Sequence, residues 1–78
     1  MYFALSGASR TASREWAIAK YRKAIQVQPN YPMSHFFLGQ VYLERKQYEQ
    51  AAASLRTTVR LAPDYANART MLGETLIA

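Results

Sequence analysis

The sequence predicts an all-α chain built from antiparallel helix-turn-helix hairpins in series, and three observations predict it. Slid against itself by 34 residues, the chain aligns Ala17 with Ala51, Arg22 with Arg56, Pro29 with Pro63, Tyr31 with Tyr65, and Leu38-Gly39 with Leu72-Gly73. Conservative pairs extend the register: Ile25 with Val59, Val27 with Leu61, Asn30 with Asp64. Apolar residues within one period recur at helical spacing, as in Ala51, Leu55, Val59 and Ala62, and strand-like alternation is absent. Prolines fall where helices would have to stop.

The first helix is expected over residues 14–28. Ahead of it, Ser6-Gly7-Ala8-Ser9-Arg10-Thr11-Ala12-Ser13 is weakly apolar and reads as a loop or frayed turn, with Thr11 or Ser13 as the helix N-cap. Tyr2, Phe3 and Leu5 could belong to a helix packed under the first, and Trp16 reads as a hairpin packing residue. The second helix is expected over 32–45, with Phe36, Phe37, Gly39, Gln40, Tyr42 and Leu43 at helical spacing, and the third over 48–62. Only Lys46 and Gln47 separate those two, a connection short enough to force antiparallel neighbours. The fourth helix runs from 65 to the end. Gln28-Pro29-Asn30-Tyr31-Pro32 and Ala62-Pro63-Asp64 each set a proline to stop one helix and an Asn or Asp to cap the next.

A chain of 78 residues sustains one domain at most. A fold of this size buries only about 60% of the surface its unfolded chain exposes, so its stability margin is thin. Half the residues are hydrophobic, and three Gly and three Pro are too few for a linker or low-complexity segment, which argues against disorder. Without cysteine there is neither a disulfide framework nor a thiolate metal site, and both a reducing cytoplasm and an oxidising periplasm accept such a chain. The apolar run from Met1 to Leu5 is short of the ~7–15 residues of a signal-peptide core. No stretch approaches the ~20 apolar residues of a membrane span. The expectation is a soluble chain, cytoplasmic in preference, whole or cut from something longer.

The net charge of +5 invites a nucleic-acid or anionic-surface reading. The ten Lys and Arg are spread along the chain, and only Lys20 to Lys23 is dense, so the charge reads as a solvated outer face and nucleic acid is disfavoured as a partner. The distant form of that reading would use Lys20, Arg22, Lys23, Arg56 and Arg60 on successive helices. Chemistry finds little foothold. His35 is the only histidine, and Glu15, Glu44, Glu49, Asp64 and Glu74 form no ligand cluster. Gly39 and Gly73 sit inside helices and not between strand and helix, as a phosphate loop requires. Arg10-Thr11-Ala12-Ser13 resembles a basophilic kinase site, although the capping role is preferred there. No catalytic residue, metal or cofactor is expected, and the chain is not read as an enzyme.

At His35-x-x-Leu38-Gly39-x-x-Tyr42, then Ala51-x-x-x-Leu55, then Pro63, the sequence resembles the tetratricopeptide repeat, W-x2-L-G-x2-Y, A-x3-F and P over 34 residues. Gly39 and Ala51 would let two helices approach closely, Leu38, Tyr42 and Leu55 would fill the shared core, and Pro63 would end the second helix. His35 stands in the usual Trp slot as a partly buried packing residue, Leu55 in the usual Phe slot, and Thr58 where Ala is usual. The resemblance divides the chain into a divergent first repeat (1–31), a complete repeat (32–65) and the first helix of a further repeat or a capping helix (66–78). It implies hairpins stacked as a short right-handed α–α superhelix.

The resemblance further implies a concave groove lined by first helices, here Met33, Phe36, Phe37, Gln40, Leu43 and Glu44, continuing into Asn67, Thr70, Met71 and Glu74. The expectation is a protein-protein interaction scaffold that takes a peptide or helix of a partner protein in this partly apolar groove, through an exposed Met-Phe-Leu stripe. Family members that clamp terminal carboxylates use Lys, Arg and Asn on these helices. The corresponding Tyr2, Ser6, Gln40, Thr70 and Glu74 disfavour that mode. The alternative expectation is a structural self-assembly module, a homo-oligomer joined through its terminal helices, because Leu72 and Leu76 would ordinarily sit against a following helix.

Overall fold

The computed structural model describes residues 6–77, with side chains from Ser13 onward. Four helices follow one another: α1 (Ser6–Val27), α2 (Pro32–Glu44), α3 (Tyr48–Leu61) and α4 (Ala66–Ile77). Each packs on its neighbours in sequence, most extensively α2 on α3, and the molecule measures 43 × 31 × 18 Å.

α1 departs most from expectation, because residues 6–13 are helical and not a loop. That stretch lacks the apolar stripe that flags a helix, yet it holds no proline and is built of Ala, Ser, Thr and Arg around a single Gly. Extending an existing helix requires no new nucleus, and these residues differ from Ala by only a few tenths of a kcal/mol, about 0.7 at most apart from the Gly. Ser13 and Thr11 therefore lie inside α1 and not at its start. The packing suggested for Tyr2, Phe3 and Leu5 lies outside the described residues.

The joint into α2 also differs from expectation. Tyr31, not Asn30, is the N-cap residue, in extended backbone (φ −89°, ψ 109°) and with no side-chain capping bond. Pro32 explains this: a proline pushes the residue before it out of helical geometry, and its own missing N–H would have been unpaired in the first turn anyway. The Tyr31 N–H instead closes the turn onto the Gln28 carbonyl at 3.3 Å. One period later α4 starts at Ala66, and the Tyr65 carbonyl accepts the Arg69 N–H at 3.3 Å, so Asp64 stands outside the helix as Asn30 does.

Between α2 and α3 the chain reverses through a Schellman turn. The Gln47 N–H reaches back to the Tyr42 carbonyl and the Lys46 N–H to that of Leu43, both at 2.9 Å. Lys46 adopts φ +61°, the left-handed conformation usually left to glycine. This tight reversal makes α2 and α3 an antiparallel hairpin.

The hairpin core is the one the repeat signature predicts. Leu38, Tyr42 and Ala51 form one buried cluster, against which Ile18, Tyr21 and Ile25 of α1 pack. Phe36, Leu55 and Ala68 form a second, joined by Tyr65, Met71 and Leu72. Leu43 touches both. Gly39 sets the helix spacing, since a Cβ there would lie 3.0 Å from Leu55 Cγ and 3.5 Å from the Ala51 carbonyl oxygen. Thr58, in its Ala slot, is wholly buried with its hydroxyl bonded to the Ser54 carbonyl at 3.0 Å, so the extra polar atom is satisfied within its own helix.

Candidate functional site

The residues named for the groove do not all reach a surface. Phe36 is 4% exposed, held between Leu55 and Ala68 with its ring against Tyr65 at 4.9 Å. Met33 and Leu43 are partly buried against the same cluster. The expected exposed Met-Phe-Leu stripe is thus mainly core: α4 lies beside α2, and Ala68, having almost no side chain, lets Phe36 fill the seam between them. Of the large apolar residues on α2, Phe37 is the one that stays open, at 37% exposure.

Phe37 is held from two sides. Its ring stacks on Tyr21 of α1 at 5.7 Å and 29°, and leans on Phe36 at 5.7 Å and 58°. One turn further along α2 stands Gln40, half-buried, and a turn beyond it Glu44, exposed, whose carboxylate accepts from Arg14 Nε at 3.3 Å. The 34-residue register carries Phe37 to Met71 and Gln40 to Glu74, so α4 offers corresponding positions, with Met71 half-buried and Asn67, Thr70 and Glu74 exposed. Tyr21 and Arg14 were not among the residues read as site-forming. Nothing in the sequence marks Arg14 as facing Glu44.

The neighbouring side chains support this face without adding chemistry to it. Arg22 donates to the Tyr42 hydroxyl at 3.0 Å, and Arg45 lies 3.8 Å from Glu15, so α1 and α2 are stitched at several points. His35 is half-buried as expected, and its Nε2 donates to the Pro29 carbonyl at 2.8 Å, tying α2 to the turn before it. Trp16 is not a hairpin packing residue: it is 64% exposed with the Lys20 ammonium 5.3 Å from its ring centre. The packing stripe of α1 runs through Ile18, Tyr21 and Ile25, and two residues back from Ile18 is the far side of a helix. Among the described residues no group of three metal-ligating side chains occurs, and no helix is long and apolar enough to cross a membrane.

Successive antiparallel helices in a fixed 34-residue register, with one hairpin packed on the helices before and after it, define an α-helical repeat protein. A family model described as tetratricopeptide repeat matches residues 12–66 and again 42–78. The chain belongs to the tetratricopeptide repeat family, whose members serve as protein-protein interaction modules. Among curated proteins it is similar to tetratricopeptide repeat protein 17 of Danio rerio, 29% identical over 62 residues that make up 77% of this chain and 5% of the relative. The Rattus norvegicus protein of the same name is 28% identical over 53 residues, 68% of this chain and 4% of the relative. The human one is 30% identical over 46 residues, 59% of this chain and 4% of the relative. The chain therefore corresponds to a small part of the length of these relatives.

Proposed function

We propose that the chain holds a peptide or helix of a partner protein across the α2 and α4 face, with Phe37 as the apolar anchor and Gln40, Glu44, Asn67, Thr70, Met71 and Glu74 around it. The observation that carries this reading is Phe37 itself. An open aromatic ring already fixed by Tyr21 and Phe36 loses little freedom when a ligand covers it, which favours binding per unit of surface. Partner capture, not catalysis, is the role this face fits.

Phe36 is a poor probe of this proposal, since truncating a buried phenylalanine costs about 3–5 kcal/mol of fold stability. Phe37→Ala is the cleaner variant. Amide NMR spectra would be recorded while a panel of ~15-residue amphipathic peptides, apolar at i, i+4 and i+7, is titrated in. Shifts should concentrate at Phe37, Gln40, Thr70 and Glu74, and Phe37→Ala should weaken binding by about tenfold or more with helicity kept. Shifts mapping to α3, or affinity indifferent to Phe37→Ala, would move the site elsewhere.

A further inference from the structure

The excess of positive charge in this +5 chain is unevenly placed on its helices. α1 holds Arg10, Arg14, Lys20, Arg22 and Lys23 against Glu15 alone, and the joint after α2 adds Arg45 and Lys46. α2 holds a single charged side chain, Glu44, and α4 holds Arg69 and Glu74. Arg69 is two residues from both Asn67 and Met71, about 200° around the helix, which turns it away from the face they share. The Phe37 face of a basic chain thus carries two exposed carboxylates. Glu44 stands two turns beyond Phe37 on the same side of α2. Glu74 takes the register position of Gln40, which stays half-open although α2 has helices on both sides. One cation does reach this face: Arg14 Nε lies 3.3 Å from Glu44 Oε1, on side chains 35% and 58% exposed. A surface pair of this kind is worth at most about 1 kcal/mol, and among the described residues no donor is bonded to the second carboxylate oxygen. Arg14 therefore sits, weakly held, where a cation from outside would sit.

We propose that the partner segment held on the Phe37 face is basic: an apolar residue seats on Phe37, and a lysine or arginine about two helical turns away takes the place of Arg14 on Glu44, with a second cation on Glu74. The inference rests on the function proposed above and names the chemistry of its partner. Charge complementarity selects this occupant. An acidic segment would set carboxylate against carboxylate, and a neutral one would cover Glu44 and Glu74 without supplying a counter-charge. Arg14 then acts as a competitor within the chain, one that raises the threshold for binding and rejects segments lacking a cation to replace it.

The test uses three ~15-residue peptides with the same apolar face, carrying Lys, Gln or Glu at the positions flanking it, titrated at about 50 mM salt with fluorescence anisotropy as the readout. The Lys peptide should bind at least about tenfold more tightly than the Glu peptide, with the Gln peptide between them. Glu44→Gln combined with Glu74→Gln should erase that ranking and leave the Gln peptide within about twofold of its wild-type affinity. Glu49→Gln, on α3, should leave the ranking as it is. Arg14→Gln, which frees Glu44, should tighten the Lys peptide about two- to threefold. Circular dichroism should show unchanged helicity in every variant, since all are surface substitutions. A Lys peptide no tighter than the Glu peptide, a ranking that survives the double Glu variant, or an Arg14→Gln that weakens the Lys peptide would overturn the inference, and the proposed function would still stand if Phe37→Ala weakens all three peptides. No binding by any of the three would overturn both.

Discussion

Two glycines at the same place in the repeat should respond in opposite directions to the same substitution. Replacing glycine by alanine inside a helix gains about 0.8–1 kcal/mol of backbone preference, somewhat less near a helix end. At Gly73 nothing opposes that gain, because the new methyl group faces open space, so Gly73→Ala should stabilise the monomer by about 0.5–1 kcal/mol. At Gly39 the methyl would lie 3.0 Å from Leu55 Cγ and 3.1 Å from its Cδ2. Leu55 is wholly buried in one cluster with Phe36 and Ala68, so it has little room to yield. Overpacking of this kind costs about 1–3 kcal/mol, which cancels or exceeds the propensity gain. The two variants should therefore differ by about 1–3 kcal/mol. At about 4–8 °C per kcal/mol for a domain of this size, their midpoints should stand several degrees or more apart. Thermal melts by far-UV circular dichroism at low micromolar concentration would measure this without contribution from association. Equal shifts at the two positions would refute the reasoning, since they would mean that Leu55 moves freely and that Gly39 does not set the helix spacing.

The remaining expectations concern the core and the turn. Leu55→Ala should cost about 2–5 kcal/mol, enough to unfold a domain of thin margin, while Leu76→Ala, at a residue more than half exposed, should stay within about 0.5 kcal/mol; urea midpoints would separate them. Lys46→Gly should raise stability by about 0.5–1 kcal/mol in the same assay, because glycine takes the left-handed conformation at Lys46 without the Cβ conflict; a loss would mean that the lysine side chain makes a compensating contact.

The period, the hairpin and its buried contacts were legible in the sequence because each rests on a residue whose physical role is narrow. A proline stops a helix, a glycine facing a small residue brings two helices together, and a joint as short as Lys46-Gln47 allows only an antiparallel return. What escaped was decided between elements. Phe36 and Phe37 are chemically the same, and the choice of which becomes core was made by Ala68 and Tyr65, whose placement depends on how α4 crosses α2. Trp16 looked like packing because tryptophan usually packs, but it lies on the wrong side of α1. The helical state of residues 6–13 left no periodic trace, since a helix can be continued without an apolar stripe. Asn30 was a plausible cap until Pro32 fixed the geometry of Tyr31.

Burial in a repeat array is a property of neighbours as much as of residues, because each unit contacts only those beside it. Tyr65 lies partly buried on Phe36, and Tyr31, the same residue one period earlier, is 51% exposed. The contrast between Gly39 and Gly73 has the same origin. The Phe37 face is open although α2 has helices on both sides, so its exposure belongs to the repeat and does not depend on what neighbours α1 or α4.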